Sequence, residues 1–248
     1  MADHLFEEPK LAELYDLFSP SAARDDFGFY LPLLMSASSV LDVGCGTGAL
    51  LELARSAGHT GQLVGIDPAR GMIDQARKRP DIEWIHGELD SSTFSQEFEL
   101  AVMTGHAFQV LIEDEEIVNA LTGIKSLLNE NGRFAFETRN PLARAWEHWS
   151  SEYSGHVIDG SGSRIDVVCS VNEIEPGETV RFSHTFSCSD WSRDEVSHSR
   201  LRFLGIDSLN SFLHEAGFEI EHQYGDWARS PVTADSPEII TVARRVER

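Results

Sequence analysis

The sequence has few cysteines, few basic residues and no long apolar run, and each shortage excludes a class of protein. The three cysteines, Cys45, Cys169 and Cys188, lack CxxC spacing, which argues against a disulfide framework and against a zinc site. No run approaches the ~20 apolar residues of a membrane span, and the first ten residues lack the cationic and apolar parts of a signal peptide. We therefore expect a cytoplasmic protein with no membrane partner and no metal.

Acidic residues outnumber basic residues by two to one. The 248 residues include 20 Lys and Arg against 41 Asp and Glu, a formal net charge of -21. Residues 1–124 carry 7 basic and 21 acidic side chains, and residues 125–248 carry 13 and 20. Because nucleic-acid affinity comes largely from Lys and Arg that neutralise phosphates, we expect no nucleic-acid partner, and any anionic ligand should meet the second half of the chain.

Short apolar runs alternate with helical patterns between Ser38 and Thr138, which indicates a parallel sheet covered by crossover helices. The predicted strands are Val40–Val43, Leu63–Asp67, Ile82–His86, Leu100–Thr104 and Phe134–Thr138. The acidic run Glu113–Glu116 could hold a metal, but an apolar helical stripe begins at Ile117. Acidic residues suit the positive end of a helix dipole, so a helix start is the favoured interpretation.

After Pro141 the period changes to alternation, which predicts antiparallel strands. With Pro176-Gly177 as the turn, paired residues have numbers that sum to 353. The four predicted pairs are Ile165 with Cys188, Val167 with Phe186, Cys169 with His184 and Val171 with Phe182. A third strand is expected around Leu201. His184, on this apolar face, is more often a packed core histidine than a catalyst.

The patterns together predict three parts. Residues 1–36 form a helical cap, residues 37–145 and 205–248 form an α/β core, and residues 146–204 form an antiparallel β lid. Two final strands near Glu219–Tyr224 and Ile239–Ala243 complete the main sheet. A monomer and a homodimer are both compatible with this organisation.

The segment from Val40 to Gly48 runs from an apolar strand into three alternate glycines and then a helix. Glycines there allow a tight turn and close approach of a ligand to helix-terminal N–H groups. The pattern Gly44-x-Gly46-x-x-Ala49 formally matches a dinucleotide fingerprint, with Asp67 as the ribose-binding acid. Asp42 disfavours a pyrophosphate, whereas the ammonium and sulfonium of S-adenosylmethionine favour a nearby carboxylate.

The segments VLDVGCGTG and VGIDPARGMIDQAR resemble those of the class I S-adenosylmethionine-dependent methyltransferases of small molecules. The resemblance implies a Rossmann-like α/β fold with a seven-stranded sheet, N-terminal helices and an antiparallel β insertion. It assigns the methionine part of the cofactor to the glycine loop, the ribose to Asp67 and the adenine to the residues after the second and third strands. The implied cofactor residues are Tyr15, Asp42, Gly44, Cys45, Gly46, Gly48, Asp67, Pro68, Met72, Gly87, Glu88, Leu89, Thr104, Gly105 and His106.

Two assignments remain open at this stage. Glu88 stands where the family commonly has Asp, and Tyr15 could be a core tyrosine instead of a cofactor residue. The family's Asn/Asp-Pro-Pro-aromatic motif of DNA amino-methyltransferases is absent after the fourth strand, where Thr104-Gly105-His106 stands instead.

The implied reaction is in-line transfer of a methyl group to nitrogen, oxygen or carbon of a small-molecule acceptor, with S-adenosylhomocysteine as product. His106 is the first candidate base, since imidazole titrates near neutral pH, although it could simply order its loop. Glu137 and Arg139 follow the fifth strand, where open parallel sheets bind ligands, and could orient the acceptor. Further candidates for the acceptor pocket are Trp146, Trp149, Trp227, Arg200 and Arg202.

Three other functions share part of this pattern. A nucleic-acid or protein methyltransferase would have the same cofactor site, and an NAD-dependent oxidoreductase would have a similar glycine loop. A non-catalytic cofactor-binding protein would also keep the glycines.

Overall fold

The computed structural model describes residues 2–89, 97–175, 177 and 179–247. The helices are α1 (His4–Glu7), α2 (Pro9–Phe18), α3 (Asp25–Ser36), α4 (Ala49–Ser56), α5 (Arg70–Ala76), α6 (Asp114–Leu127), α7 (Trp149–Glu152) and α8 (Ile206–Ala216). The strands are β1 (Ser39–Val43), β2 (Gln62–Asp67), β3 (Glu83–His86), β4 (Phe98–Met103), β5 (Leu128–Arg139), β6 (Gly155–Ile158), β7 (Arg164–Glu175), β8 (Thr179–Ser187), β9 (Glu195–Arg202), β10 (Phe218–Tyr224) and β11 (Glu238–Arg245).

The main sheet has seven strands in the order β10-β11-β5-β4-β1-β2-β3. Strands β1 to β5 are parallel, and β11 is antiparallel to both of its neighbours. The five predicted core strands and the two final strands all appear, so the Rossmann-like fold class is confirmed. The reversed direction of β11 brings its first residue, Glu238, to the same edge as the last residue of β5, Arg139.

Helices cover both faces of this sheet because successive strand residues point to opposite sides. Leu41 and its neighbours pack under α6 and α8, whereas Val40 packs under α3 and α4. The acidic run before Ile117 is indeed a helix start, since Glu113 and Glu116 form a capping box at the first turn of α6. The main core is thus a sandwich of three layers.

The second sheet is antiparallel, in the order β6-β7-β8-β9. Three predicted pairs are found, Val167 with Phe186, Cys169 with His184 and Val171 with Phe182. The fourth pair, Ile165 with Cys188, does not form part of the ladder, because β8 ends at Ser187, which pairs with Asp166 in the same register. Pro176 of the predicted turn lies outside the described residues.

The N-terminal helices join the two sheets. Leu11 and Leu14 of α2 are buried against Ile165, Val167 and Phe186 of the antiparallel sheet. On the other side, Ala12 packs against Ala69 and Met72 near α5. The second sheet is therefore fixed over the edge of the main sheet at which β1, β2, β4 and β5 end. None of the helices within the described part of the chain has the length and hydrophobicity of a transmembrane segment.

Candidate active site

A cavity of about 1710 Å³ lies at the carboxyl edge of the parallel strands. Its walls are the loops after β1, β2, β4 and β5, the N-terminal helices and the inner face of the antiparallel sheet. Open α/β sheets bind ligands at this edge, where the strand order reverses on either side of β1. Carboxylates clearly outnumber arginines among the lining residues.

The loop after β1 depends on its glycines. Gly44, Gly46 and Gly48 have φ of 74°, 55° and 80°, in the left-handed region that side chains rarely adopt. A Cβ on Gly44 would lie 3.0 Å from the Cβ of Ala107, so the loops after β1 and β4 touch. Gly48 differs from the other two, because it packs against the ring of Trp84 and does not line the cavity.

Asp42, the last but one residue of β1, is buried and lines the cavity. Its Oδ1 accepts no hydrogen bond from any described residue. Burial, with the charge of Asp67 as the second cause, raises the pKa of Asp42 to about 7. A buried carboxylate without a partner is costly, so this position suits a ligand that carries a hydrogen-bond donor with positive charge.

Asp67 ends β2 and is held by the backbone. Its two oxygens accept from the N–H groups of Gly46 at 2.9 Å and Ala69 at 2.8 Å. Burial raises the pKa of Asp67, although these two N–H groups oppose the shift. Each carboxylate oxygen can accept a second bond, so Asp67 can still receive hydroxyl groups of a ribose.

The other residues assigned to the cofactor lie around these two carboxylates. Tyr15, Cys45, Pro68, Met72, Gly87, Glu88, Leu89, Thr104, Gly105 and His106 all line the cavity. Glu88 is exposed, so it can reach a ligand only from the solvent side. The structure thus brings the predicted set together apart from Gly48, and the role of each residue in binding stays a prediction.

A connected group of polar side chains occupies the part of the cavity between β4, β5 and β11. Glu137 is fully buried, accepts from the Tyr30 hydroxyl, and accepts from the His106 N–H at 2.8 Å. The Nε2 of His106 lies 3.1 Å from both carboxylate oxygens of Glu238. Burial, followed by the charge of Arg139, lowers the pKa of His106, and burial raises the pKa of Glu137.

Arg139 is oriented by three neighbours. Its backbone N–H and its guanidinium both donate to the amide oxygen of Gln109, at 3.2 and 3.1 Å. The guanidinium also lies 5.2 Å from the ring centroid of Trp149 and donates to the Tyr153 hydroxyl at 3.4 Å. Arg139 therefore faces the cavity beside two aromatic side chains, as an acceptor-binding residue would.

The predicted acceptor residues divide into two groups. Trp149, Trp227 and Arg200 line the cavity. Trp146 instead packs edge-on against Phe203. Arg202 donates to the Ile112 carbonyl and pairs with Asp114 at 2.7 Å, away from the cavity. These two residues anchor the antiparallel sheet.

His184 lies between Phe182 and Phe186 on β8. The ring lines the cavity, but its Nδ1 is buried without a partner among the described residues. Burial lowers the pKa of His184. The ring is thus packed between two phenylalanines and also faces the cavity, and the packed-histidine interpretation stays a prediction.

The cavity residues that were not predicted from the sequence include Arg24 and Glu238. Arg24, from the turn before α3, makes a bidentate pair with Asp26 at 2.8 and 2.5 Å and reaches the backbone of Gly105. Glu238 is the other omission. A carboxylate at the start of the last apolar run was visible in the sequence, but its place at the site depends on the antiparallel direction of β11.

Within the described ranges, His, Cys, Asp and Glu form no group of three that suits a metal ion. The glycine loop, a carboxylate at the end of β2 and a second, unpartnered carboxylate on β1 instead suit an organic ligand with a ribose and a cationic group.

Comparison with known proteins supports the same conclusion. A family described as a methyltransferase domain matches residues 40–132. A cypemycin N-terminal methyltransferase of a Streptomyces species is 24% identical over 253 residues, which cover 99% of this chain and 100% of that protein. Other curated relatives, such as a malonyl-[acyl-carrier protein] O-methyltransferase of Anoxybacillus flavithermus, are matched over about half of their length.

Two solved structures share the fold. The CcbJ methyltransferase of Streptomyces caelestis has a TM-score of 0.72 at 17% identity, over 95% of this chain and 97% of that one. CalS10, an amino pentose methyltransferase of Micromonospora echinaspora whose structure holds S-adenosylmethionine, has a TM-score of 0.68 at 21% identity, over 94% and 97%. Residues 40–132 of this chain thus match the methyltransferase-domain family, and the chain as a whole shares the fold of these two methyltransferases.

Proposed function

We propose that this protein transfers the methyl group of S-adenosylmethionine to an amine of a small molecule. The observation that carries the proposal is the buried, unpartnered Oδ1 of Asp42 beside the glycine loop. That oxygen suits the α-ammonium of the cofactor, since a hydrogen bond to a charged group is worth about 1.5–3 kcal/mol. When bound, S-adenosylmethionine supplies a methyl group that its positive sulfur has already activated.

The chain's own residues account for the rest of the cofactor. Asp67 would accept from the ribose hydroxyls, and Pro68 and Met72 offer apolar surface beside it. Arg24 is half-buried near the methionine end and would bind the cofactor carboxylate, although it already pairs with Asp26. With donor and acceptor both held in one cavity, positioning alone can supply ~7–11 kcal/mol of the barrier.

The choice of nitrogen as acceptor atom is supported by two facts. The excess of carboxylates around the cavity favours a cationic acceptor. One full-length relative is named as an N-terminal methyltransferase, and one structural neighbour as an amino pentose methyltransferase. An aliphatic amine is the chemistry that these two names share. Oxygen and carbon acceptors are the alternatives.

Calorimetric titration with S-adenosylmethionine, S-adenosylhomocysteine and NAD tests the cofactor assignment. We expect the first two ligands to bind and NAD not to bind. The Asp67→Asn variant should bind S-adenosylhomocysteine at least tenfold more weakly. Asp74→Asn, an exposed carboxylate on α5, is the matched control and should leave that affinity unchanged. Tight binding of NAD alone would show that the proposal is wrong.

The acceptor class needs a second experiment. Incubation with isotope-labelled methyl donor and a metabolite extract should label small amines. Label that appears only in protein or nucleic acid would instead support the macromolecular alternative, and label in alcohols or carboxylic acids would reject nitrogen.

A further inference from the structure

Glu238 begins β11 and lies at the edge of the sheet that holds the cavity. It pairs in register with Arg139, the last residue of β5, because β11 runs antiparallel. Both oxygens of Glu238 lie 3.1 Å from Nε2 of His106, and 13% of its side chain is exposed. A carboxylate has about four acceptor positions, so the bond to His106 leaves acceptor capacity for a ligand in the cavity.

The position of His106 relates this carboxylate to the glycine loop. Ala107, the next residue, touches Gly44, and the N–H of His106 is fixed on Glu137. His106 has a φ of 63°, and its Nε2 reaches Glu238 at the start of β11. The His106 and Glu238 side chains therefore stand beside the loop that would hold the methionine end of the cofactor.

The charged groups around the pair are mostly engaged elsewhere. Those that influence His106 or Glu238 are Asp26, Arg24, Glu137 and Arg139. Arg24 and Asp26 neutralise each other, Glu137 already accepts two hydrogen bonds, and Arg139 is held by Gln109 and Trp149. Glu238 is thus the carboxylate in this group that is best placed to meet a cationic ligand.

We propose that Glu238 binds the ammonium form of the acceptor and takes its proton, and that His106 is the positioning residue that orients the Glu238 carboxylate. This inference rests on the proposed function. The ammonium nitrogen passes one proton to Glu238, which becomes a carboxylic acid. The freed nitrogen lone pair forms a bond to the methyl carbon while the carbon–sulfur bond breaks, and S-adenosylhomocysteine leaves. Glu238 finally releases the proton to water at the cavity mouth.

The acid–base properties of the pair agree with these roles. Burial raises the pKa of Glu238 to about 8, although Arg139 opposes the shift. A base works best when its pKa lies near the operating pH, and this value lies closer than that of an ordinary Glu carboxyl to the ~10.4 of an alkylammonium. The lowered pKa of His106 keeps its ring neutral; with its proton on Nε2, the ring can donate to Glu238.

A cofactor analogue tests the inference without knowledge of the acceptor. Sinefungin carries an amino group where S-adenosylmethionine carries its methyl group. We expect the wild-type protein at pH 9 to bind sinefungin about tenfold more tightly than S-adenosylhomocysteine, and this advantage to shrink as pH falls through about 8. In Glu238→Gln the advantage should fall below about twofold at every pH. The control Asp74→Asn, an exposed carboxylate on α5 that does not line the cavity, should behave as wild type.

Two further variants define the positioning role. His106→Leu should reduce the sinefungin advantage, and His106→Gln, which keeps an N–H donor, should restore most of it. Glu238→Asp keeps the charge and covers the case in which Glu238→Gln does not fold; it should retain part of the pH dependence. An unchanged sinefungin advantage in Glu238→Gln would overturn the inference and leave the proposed function intact. Failure of wild type to bind S-adenosylhomocysteine would overturn both.

Discussion

The two walls of the cavity are built in different ways. The wall from the parallel sheet consists of strand ends and short loops. Backbone N–H groups of Gly46 and Ala69 hold Asp67 there, beside the unpartnered Oδ1 of Asp42. The opposite wall is the face of β8 with Phe182, His184 and Phe186, supported by α2 and α7. The first wall presents carboxylates and main-chain N–H groups, and the second presents aromatic surface. Under the proposed function, the cofactor would be bound by residues close to the strand ends and the acceptor by residues that are distant from them in sequence.

We expect the largest loss of stability from a substitution in the aromatic wall. Phe186 is 1% exposed and packs against Phe18 of α2 with ring centroids 5.8 Å apart. Phe186→Ala should lower the free energy of unfolding by about 3–5 kcal/mol, measured by urea denaturation. If the walls act separately, the folded variant will keep its affinity for S-adenosylhomocysteine within about twofold.

Val168→Ala, on the outer face of β7 with 54% exposure, is the control and should change stability by less than about 0.5 kcal/mol. A large loss of S-adenosylhomocysteine affinity in Phe186→Ala would show that the two walls are one unit.

A substitution in the glycine loop should destabilise the protein nearly as much. A Cβ on Gly48 would come within 2.3 Å of the Trp84 ring at a φ of 80°, so Gly48→Ala adds a clash to backbone strain. We expect a loss of about 2–4 kcal/mol in thermal or urea unfolding. Gly58→Ala has a similar φ of 95° but meets nothing within 4 Å, and should cost only about 1–2 kcal/mol. Equal losses in the two variants would exclude a contribution from the Trp84 contact.

Asp42 should oppose stability and support binding. Its pKa of about 7 exceeds the 3.8 of a free Asp. The folded state therefore binds more protons than the unfolded state between about pH 4 and 7, and the free energy of unfolding falls as pH rises through that range. Asp42→Asn should raise stability at pH 8 on the order of 2–4 kcal/mol, with a smaller gain at pH 5.

The same variant should weaken S-adenosylmethionine binding about tenfold or more. An equal gain in stability at both pH values would contradict the raised pKa of Asp42. Unchanged affinity would remove Asp42 from the cofactor wall.

The ion pairs of Glu175 with Arg181 and Arg200 form a polar rim beside the aromatic wall. We expect this rim to contribute least to the free energy of unfolding. Glu175 pairs with Arg181 at 2.6 Å and with Arg200 at 2.8 Å, and both arginines are more than 40% exposed. Glu175→Gln should cost less than about 1 kcal/mol, because such pairs are well solvated. The loss should diminish in 1 M NaCl, where exposed charges are screened. A loss above about 2 kcal/mol that salt does not reduce would show that the rim, and not only the aromatic face, holds this wall.

The sequence predictions were accurate for features that depend on residues close together in the chain, and less accurate for features that depend on distant residues. The strands of the main sheet were predictable because buried parallel strands form continuous apolar runs. The hairpin register was also predictable, since a side-chain period of two leaves one alignment with all apolar pairs on one face. The ladder stops one residue short of the predicted pair of Ile165 with Cys188, because β8 ends at Ser187.

Within the candidate site, Asp42, Asp67 and the glycines were found because they are adjacent to strand ends. Arg24 and Glu238 were missed because nothing local marks them. Arg24 reaches Gly105 only after α3 has packed on the sheet, and Glu238 reaches His106 only because β11 is inserted antiparallel beside β5. The opposite error affected Trp146 and Arg202, whose residue types suited a pocket but whose side chains anchor the second sheet.

The sequence by itself determined the fold class, the glycine loop and the carboxylates beside it, because each depends on residues that are neighbours in the chain. Only the tertiary structure decided which distant groups meet: that Asp42 lies buried with an unpartnered oxygen, and that Glu238 lies against His106. The physical reason is that burial and strand direction arise from the packing of the whole sheet. These two properties set the charge of both carboxylates.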